Sequence, residues 1–349
     1  MNIAIFTHNY PKNKNDRKDA GIFVYDFVNE LKKYHGAKKH NVYIFCPDYG
    51  NNQKFGNWSI YNPLNIINFF KNISFGIRES LKFVKENKID YILSAWAIPS
   101  GIYAFASKLK YGTKYGIWYL GSDLNIYSKV PVLSNIMCLV SKKANNLFAN
   151  SYALVKIAKS KYGKCEMIPA STKISGIKSK IIKLDKDKVN LLYVGRLEKV
   201  KGPDLLVEVA KKLDKKFMLR IIGDGTMKRQ LDMSQNNIQF LGQRDMIDIS
   251  GYMRSSDFLI IPSRNESLPL VILEGANYRL PILASNVGDC KYIIDKYQIG
   301  EVFTAGNMTQ LTRKISKFDF KTFRKNGRFN DLVVDYSLEV SIKRFLENI

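Results

Sequence analysis

Two glutamates and the residues around them carry the strongest chemical signal in the sequence. Glu266 precedes a predicted helix, and Glu274 lies within an apolar stretch of that helix. A glutamate is seldom buried without a partner, so Glu274 should meet hydroxyl groups or a cation. Pro269 suits the first helical turn, and the amides of Leu270 and Val271 would be free to bind an anion. Structural roles stay open for both glutamates: a helix-dipole partner for the first and an ion pair for the second.

Two basic residues follow an apolar run at 190–194, which predicts a buried strand. Gly195 lets the chain turn tightly off this strand, so Arg196 and Lys201 should stand at its carboxyl end, beside the start of a helix. Two fixed cations and a helix dipole suit a diphosphate. A solvated basic turn is an equally good interpretation of this segment alone, because the chain is rich in lysine.

A short glycine turn, Gly223-Asp224-Gly225, follows another predicted strand. Its glycines permit a ligand to approach the backbone closely, although an ordinary tight turn explains a lone G-x-G as well. The third glycine of the dinucleotide-binding fingerprint is missing, and the loop after the first strand, which ends at Gly21, lacks that fingerprint too. Both observations argue against a dehydrogenase.

These residues stand between short apolar runs and helical patterns that alternate along the chain. The predicted strands are 2–7, 41–45, 90–95, 114–119, 147–149, 190–194, 218–222, 238–241, 258–261 and 281–284. The predicted helices are 21–33, 75–86, 99–109, 202–213, 226–235, 245–254 and 269–278. This alternation predicts parallel sheets with helices on both faces, whose ligands bind beyond the carboxyl ends of the strands.

The longest interruption of this alternation is 169–188, which is rich in lysine, serine and isoleucine and is interpreted as a linker. We therefore expect an α/β protein with two doubly wound, Rossmann-like domains, 1–168 and 189–335, facing a central cleft. The last segment, 336–349, carries an amphipathic helical pattern and is expected to pack back on the first domain.

Composition indicates a folded protein, because 46% of the 349 residues are hydrophobic and 12% are aromatic. No apolar run is long enough to span a bilayer. The N-terminus lacks the charged start of a signal peptide, so we expect a cytoplasmic protein. The four cysteines and three histidines do not have metal-ligand spacing, and we expect no metal site.

The formal net charge of +24 is unusual: 55 lysines and arginines stand against 31 acidic residues. Such a chain should attract phosphates, nucleic acid or an anionic membrane surface. The mixed apolar and basic stretch 64–88 could dock on anionic lipid and hold the protein on the inner face of the cell membrane. An ordinary surface helix is the alternative. No aromatic–basic module, zinc spacing or recognition helix supports a nucleic-acid-binding protein.

The two glutamates, separated by seven residues, resemble the E-x7-E motif of retaining glycosyltransferases. The segment from Gly195-Arg196 to Lys201-Gly202 matches the G-R-x-x-x-x-K-G segment of glycosyltransferase family 4, of GT-B fold. The glycine turn at 223–225 matches that family's G-x-G. Further similar segments are 19–23, 96–101, 121–123, 280–285 and 287–288. The resemblance covers most of the chain and includes the bacterial polysaccharide members, the glycosyl transferases group 1.

This resemblance implies a nucleotide-sugar site in 189–335. Arg196 and Lys201 would hold the donor diphosphate and stabilise the leaving group. Glu274 would bind ribose hydroxyls, and Glu266 would contact the transferred sugar. Further donor contacts are implied for Gly21, Gly195, Gly223, Gly225, Ser267, Leu268, Leu270 and Val271.

The resemblance also implies that 1–168 is the acceptor-side domain, with Asp123 facing the sugar or the acceptor. The family pattern is not complete. Leu120 stands where many members carry histidine, and Pro269 stands where many carry glycine, which removes one amide donor from the phosphate site.

We therefore expect a metal-independent, retaining transferase of a hexose-type sugar, using a UDP- or GDP-sugar and no cofactor. The acceptor would be a glycan or a lipid-linked glycan, in surface polysaccharide or glycoconjugate synthesis, and nucleic acid would not be a partner. A nucleotide-sugar epimerase on the same fold is a second hypothesis, although the E-x7-E pattern with Arg196 and Lys201 favours transfer. A basic nucleic-acid-binding protein is the hypothesis from another class.

Overall fold

The computed structural model describes residues 1–11, 21–34, 40–47, 63–171, 181–231 and 234–349, with side chains omitted for 63–70. The chain forms two compact units. The first comprises Met1–Lys173 together with Ser337–Ile349, and the second comprises Ile174–Tyr336. Each unit has its own sheet and its own core.

The first unit is built on a parallel sheet. Its strands are β1 (Asn2–Phe6), β2 (Asn41–Phe45), β3 (Tyr91–Ala95), β4 (Lys114–Tyr119), β5 (Asn146–Ala149) and β6 (Glu166–Met167). Its helices are α1 (Ile22–Lys33), α2 (Pro63–Glu86), α3 (Ser100–Tyr111), α4 (Ser122–Asn125), α5 (Pro131–Lys143) and α6 (Tyr152–Tyr162). The strand order β2-β1-β3-β4-β5-β6 reverses direction between β1 and β3.

The second unit repeats this plan. Its strands are β7 (Val189–Val194), β8 (Phe217–Ile222), β9 (Ile238–Gly242), β10 (Phe258–Ile261), β11 (Ile282–Ser285) and β12 (Gly300–Phe303). Its helices are α7 (Pro203–Ala210), α8 (Met246–Ser255), α9 (Leu270–Ala276), α10 (Cys290–Tyr297), α11 (Met308–Lys317), α12 (Phe320–Asn326) and α13 (Phe329–Asp335). The parallel order β12-β11-β10-β7-β8-β9 reverses direction between β7 and β10.

The last helix, α14 (Leu338–Leu346), belongs to the first unit although the second unit precedes it in sequence. It packs on α1, and the ring of Phe345 lies 5.7 Å from the ring of Phe27 and 5.9 Å from that of Phe148. The Ser341 hydroxyl donates to the carbonyl oxygen of Pro169 at 2.9 Å. The chain end therefore covers one face of the first sheet.

The central strands are mostly apolar because helices cover both faces of each sheet. Ile3, Ile5 and Phe6 of β1 are fully buried, as are Leu191 of β7 and Leu259 of β10. Burying each such side chain contributes about 1.5–3 kcal/mol. These rigid strands fix the points from which the functional loops start.

The ten predicted strands are confirmed, with ends that differ by at most one residue. One predicted helix, 226–235, is wrong over its described part, since only Lys228–Gln230 forms a 3₁₀ turn and Leu231 is extended. The polar contacts of Thr226, whose amide and hydroxyl both donate to the Glu198 carboxylate, hold this segment as a turn. Helix α2 is longer than predicted. Further elements had not been predicted: helices α4, α5, α6 and α10 to α13, and strands β6 and β12.

Candidate functional site

The predicted site residues of the second unit lie where its strand order reverses. The loops that follow β7 and β10 leave the sheet side by side, because these strands are neighbours and parallel. The carboxyl end of such a switch point forms the ligand crevice of open α/β sheets. The first loop carries Arg196 and Lys201, and the second carries Glu266.

Lys201 and Glu266 form the central contact between these loops. The Nζ of Lys201 lies 2.6 Å from Oε1 of Glu266, and both side chains are mostly buried. The hydroxyl of Ser263 donates to the same carboxylate oxygen at 2.7 Å. The Ser285 hydroxyl donates in turn to the carbonyl oxygen of Ser263 at 2.5 Å. One oxygen of Glu266 is thus fixed by two donors.

A second ion pair joins the same loops. The guanidinium of Arg264 makes two hydrogen bonds of 2.8 Å to the two carboxylate oxygens of Asp204, in the first turn of α7. Burial raises the pKa of Asp204, but the hydrogen bonds and charges of Arg264 and Lys199 outweigh it and leave that pKa below its usual value. The structure therefore links the start of α7 firmly to the loop after β10.

Glu274 is different from Glu266. Its side chain is partly buried on α9. Among the described residues, no hydrogen bond or ion pair reaches its carboxylate. Desolvation raises its pKa to about 7. A carboxyl group that is desolvated and has no protein partner is available to a ligand that donates hydrogen bonds.

Arg196 lies at the end of β7 with an exposed side chain. Its carbonyl oxygen accepts a hydrogen bond of 2.8 Å from the hydroxyl of Tyr193. No ion pair of its guanidinium is found within the parts of the chain that the structure describes. The cation is therefore open to an anionic ligand.

The glycines of the predicted site hold neighbouring loops together. Gly223 has a φ of +145°, and a Cβ there would lie 1.9 Å from the carbonyl oxygen of Gly195. A Cβ on Gly225 would lie 2.6 Å from the carbonyl oxygen of Leu197. These glycines are therefore required for close approach of the loop after β7, whereas the predicted approach of a ligand stays a prediction.

Helix α9 begins directly beside Glu266. Pro269 is its N-cap, and its carbonyl oxygen accepts from the amide of Ile272. The amides of Leu270 and Val271 have no acceptor among the described residues. Ser267 precedes them, and its carbonyl oxygen accepts from the amide of Asp289 at 2.9 Å. Leu268 is buried.

Gly21 and Asp123 lie in the first unit. Gly21 caps α1 with a φ of +129°, while Asp19 and Ala20 of the same predicted loop lie outside the described residues. Asp123 has no exposed surface, and its carboxylate accepts from the amides of Ala97 at 3.1 Å and Leu120 at 3.4 Å. Burial raises its pKa to about 6, although these amides oppose the shift. In this structure Asp123 joins two loops and presents no surface to a ligand.

Sequence reasoning missed the residues that support the site: Ser263, Ser285, Arg264 and Asp204. The sequence offered only a weak signal, which is that Ser263 and Arg264 belong to the same loop as Glu266. Their partners lie on other loops, and the pairing required the register of β7, β10 and β11.

The described residues contain no group of three or more histidine, cysteine, aspartate or glutamate side chains that could hold a metal ion. Within the same parts of the chain, no helix combines the length and the apolar character needed to cross a membrane.

Two parallel-sheet α/β units of this kind define the GT-B fold, which is also the fold of solved glycosyltransferases. The Anabaena protein HepE, solved in complex with UDP, superposes with a TM-score of 0.71 at 14% identity, over 99% of each chain. At this identity the likeness concerns the fold alone.

Residues 176–319 match the family described as Glycosyl transferases group 1. An uncharacterized 41.2 kDa protein in the cps region of Klebsiella pneumoniae is 30% identical over 234 residues, which is 61% of this chain and 65% of that relative. A putative teichuronic acid biosynthesis glycosyltransferase of Bacillus subtilis, TuaC, is 27% identical over 62% of this chain and 59% of its own length. The matched region thus spans less than two thirds of either relative.

Proposed function

We propose that this chain is a retaining glycosyltransferase of family 4, which transfers a hexose-type sugar from a UDP- or GDP-sugar to a glycan or lipid-linked acceptor. The observation that carries the proposal is the switch-point site. There Lys201 and Glu266 are in contact, and no ion pair of Arg196 or Glu274 is found among the residues that the structure describes. The match of 176–319 to the group 1 glycosyltransferases covers this whole site. HepE, which shares the fold, was solved with UDP.

The leaving group explains the need for these cations. A departing nucleoside diphosphate gains negative charge, and fixed positive groups stabilise it in the transition state. Arg196 is exposed and Lys201 lies between the two loops, so both can reach a diphosphate at the switch point. The amides of Leu270 and Val271 would add hydrogen-bond donors to the same charge. In this proposal the protein supplies the electrostatic stabilisation without a metal.

The two glutamates would bind the two sugars of the donor. Glu274 would accept hydrogen bonds from the ribose hydroxyls, which suits a desolvated carboxylate that has no partner in the described part of the chain. Glu266, with one oxygen held by Lys201 and Ser263, would direct its other oxygen to the transferred sugar. This donor site would be shaped by Gly195, Gly223 and Gly225 together with the loop residues Ser267 and Leu268.

The first unit would serve the acceptor. Gly21 would lie in a loop that approaches the phosphates. We propose that Asp123 acts there by positioning, because its carboxylate is enclosed and accepts two backbone amides. The names of the relatives, teichuronic acid biosynthesis among them, favour a surface polysaccharide or glycoconjugate as the product.

Loss of Lys201 or Glu274 tests the proposal. We expect Lys201→Ala and Glu274→Ala to lose most transfer activity while remaining folded, because both act on the donor. Removing one hydrogen-bond donor that stabilises the transition state typically costs on the order of 100- to 1,000-fold in rate. A screen of UDP- and GDP-sugars against purified protein identifies the donor, and turnover with that donor provides the measurement.

Matched controls separate the site from its surroundings. Lys212→Ala removes an exposed lysine just after α7, and Glu208→Ala removes an exposed carboxylate of α7. Both controls should retain turnover. Near-normal activity of Lys201→Ala or Glu274→Ala would contradict its assigned role, and interconversion of the nucleotide sugar without transfer would favour an epimerase.

A further inference from the structure

Two ion pairs connect the same two segments. In the first the cation follows β7, and in the second the cation follows β10. Lys201, in the turn after β7, reaches Glu266 in the loop after β10 at 2.6 Å. Arg264, two residues before Glu266, reaches back to Asp204 at the start of α7 with two bonds of 2.8 Å. The two loops are therefore connected by two ion pairs, here called the first brace (Lys201–Glu266) and the second brace (Arg264–Asp204). Only the first brace uses residues of the proposed donor site.

Arg264 holds the turn of Lys201 on both sides. Besides Asp204, its guanidinium donates to the carbonyl oxygen of Lys199 at 2.7 Å. Its backbone amide donates to the carbonyl oxygen of Val200 at 2.8 Å. Residues 199 and 200 precede Lys201, and Asp204 follows it. One arginine thus fixes the backbone before and after the lysine.

The geometry of this brace is that of a strong ion pair. Only 30% of the Arg264 side chain and 23% of the Asp204 side chain are exposed. A bidentate pair with two short bonds is more directional than a single surface contact between flexible charges. Lysine cannot reproduce it, because an ammonium group lacks the planar fork of a guanidinium.

A bound diphosphate would make the second ion pair more important. The diphosphate would share the ammonium of Lys201 with Glu266, which would weaken the first ion pair in the liganded state. The Arg264–Asp204 pair contains no group that we assign to the donor, and it can persist when the donor binds. The turn would then keep Lys201 in place at the moment the charge develops.

We propose that Arg264 and Asp204 are positioning residues that fix Lys201 for the donor diphosphate. The inference rests on the proposed function, because it assigns a task to Lys201. Neither residue contacts the reacting atoms. Their effect on the reaction passes through the placement of the lysine, and loss of either should weaken donor binding and turnover without unfolding the protein.

Substitution of Arg264 gives the first measurement. We expect Arg264→Met to lower kcat/KM for the donor by up to about 100-fold, the loss associated with a displacement of roughly 1 Å in a catalytic group. Asp204→Asn should act in the same direction, and Arg264→Lys should lie between the wild type and Arg264→Met. Lys314→Met is the matched control, since it breaks an ion pair of similar exposure in the same unit, with Glu301.

A double-mutant cycle separates positioning from general destabilisation. The affinity for UDP is measured by calorimetry for the wild type, Arg264→Met, Lys201→Ala and the double variant, with melting midpoints as the folding check. If Arg264 acts through Lys201, Arg264→Met weakens UDP binding in the wild-type background and has little effect when Lys201 is already absent. An equal loss in both backgrounds overturns the proposal, as does an Arg264→Met variant that behaves like Lys314→Met.

The two proposals fail in different ways. Full activity of Lys201→Ala, or no binding of any nucleotide sugar by the wild type, contradicts the proposed function itself. A Lys201→Ala variant that is inactive beside a fully active Arg264→Met overturns the positioning role alone. Should Arg264→Met not fold, Arg264→Lys carries the same cycle, and it must show the same dependence on Lys201.

Discussion

The two glutamates of one motif occupy different electrostatic environments. Glu266 is held by the ammonium of Lys201 and the hydroxyl of Ser263. Glu274 has no such partner among the described residues, and desolvation raises its pKa to about 7. The first is preorganised before a ligand binds. The second has a protonation state that changes in the neutral range, which makes its role measurable by pH.

Donor binding should therefore depend on the ionisation of Glu274. An ionised carboxylate accepts hydrogen bonds from two ribose hydroxyls, whereas the protonated form offers less acceptor capacity. We expect affinity for the nucleotide sugar to rise as the pH increases from 6 to 8, around the pKa of about 7. Calorimetry with an intact nucleotide sugar checks this, because its diphosphate has no ionisation in that range.

Glu274→Gln is the matched variant for this pH profile. It should bind the donor more weakly at pH 8 and show little change in affinity between pH 6 and 8.

The contribution of Glu274 to the stability of the wild type should fall with rising pH, in the opposite sense to its contribution to donor affinity. A folded-state pKa above the unfolded value of 4.5 gives stability that is present below that value and is lost as the pH rises through about 7. The melting midpoint of Glu274→Gln should therefore exceed that of the wild type more at pH 8 than at pH 5, and equal differences would contradict the shift.

At the scale of elements, the functional unit is a set of loops packed on one another. The loop after β8 lies against the loop after β7, as the contacts of Gly223 and Gly225 show. The turn of Lys201 lies against the loop after β10, since a Cβ on Gly202, whose φ is +70°, would lie 2.2 Å from the carbonyl oxygen of Pro262. A donor would thus bind to a surface formed by the loops after β7, β8 and β10, which pack on one another.

Gly223→Ala should disrupt this packing. A Cβ there meets the Gly195 carbonyl oxygen at 1.9 Å, and the backbone φ of +145° is also unfavourable for alanine. We expect a lower melting midpoint and weaker UDP binding, measured by scanning calorimetry and titration.

Gly242→Ala is the control for backbone strain alone. Gly242 has a φ of +68° and no atom within 4 Å of its Cβ position, so alanine should cost only about 1–2 kcal/mol. An effect of Gly223→Ala no larger than that of Gly242→Ala would show that the loops can separate at little cost.

At the scale of the whole molecule, the charge of +24 is not confined to the site. In the first unit, α2 exposes Lys71, Arg78, Lys82 and Lys85 at helical spacing. Phe75 lies on the same face, with the guanidinium of Arg78 5.4 Å from its ring centre. Glu79 and Glu86 form pairs with Arg78 and Lys82, and they reduce the net charge of this face. We propose that this face contacts an anionic membrane weakly.

Sedimentation with lipid vesicles tests this contact. We expect weak binding to vesicles that contain phosphatidylglycerol, little binding to neutral vesicles, and release at high salt, because exposed charges are screened. The double replacement Lys71→Gln with Lys85→Gln should reduce binding. Lys212→Gln with Lys317→Gln removes the same charge from exposed sites of the second unit and should leave binding unchanged. Equal binding to neutral vesicles, or no binding at low salt, would count against a docking face.

Much of the fold was predictable because its central strands are buried on both faces and therefore are mostly apolar runs. β7 and β10 are examples, and both were predicted from their composition. The segment 226–235 was not predictable in the same way, since its turn depends on the carboxylate of Glu198, a residue far away in sequence. Local patterns report local preferences, and a contact across loops can override them.

The sequence by itself determined the parallel α/β architecture and the chemistry offered at each strand end: cations after β7 and carboxylates after β10 and on α9. Only the tertiary structure decided how these groups pair. The register of β7 with β10 brings Lys201 to Glu266 and Arg264 to Asp204. Folding also leaves Glu274 without a partner among the described residues, and it encloses Asp123 among backbone amides in the first unit. The physical reason is that hydrophobic periodicity is a property of the local sequence. Ion pairing and desolvation depend on distances between segments that come together only on folding.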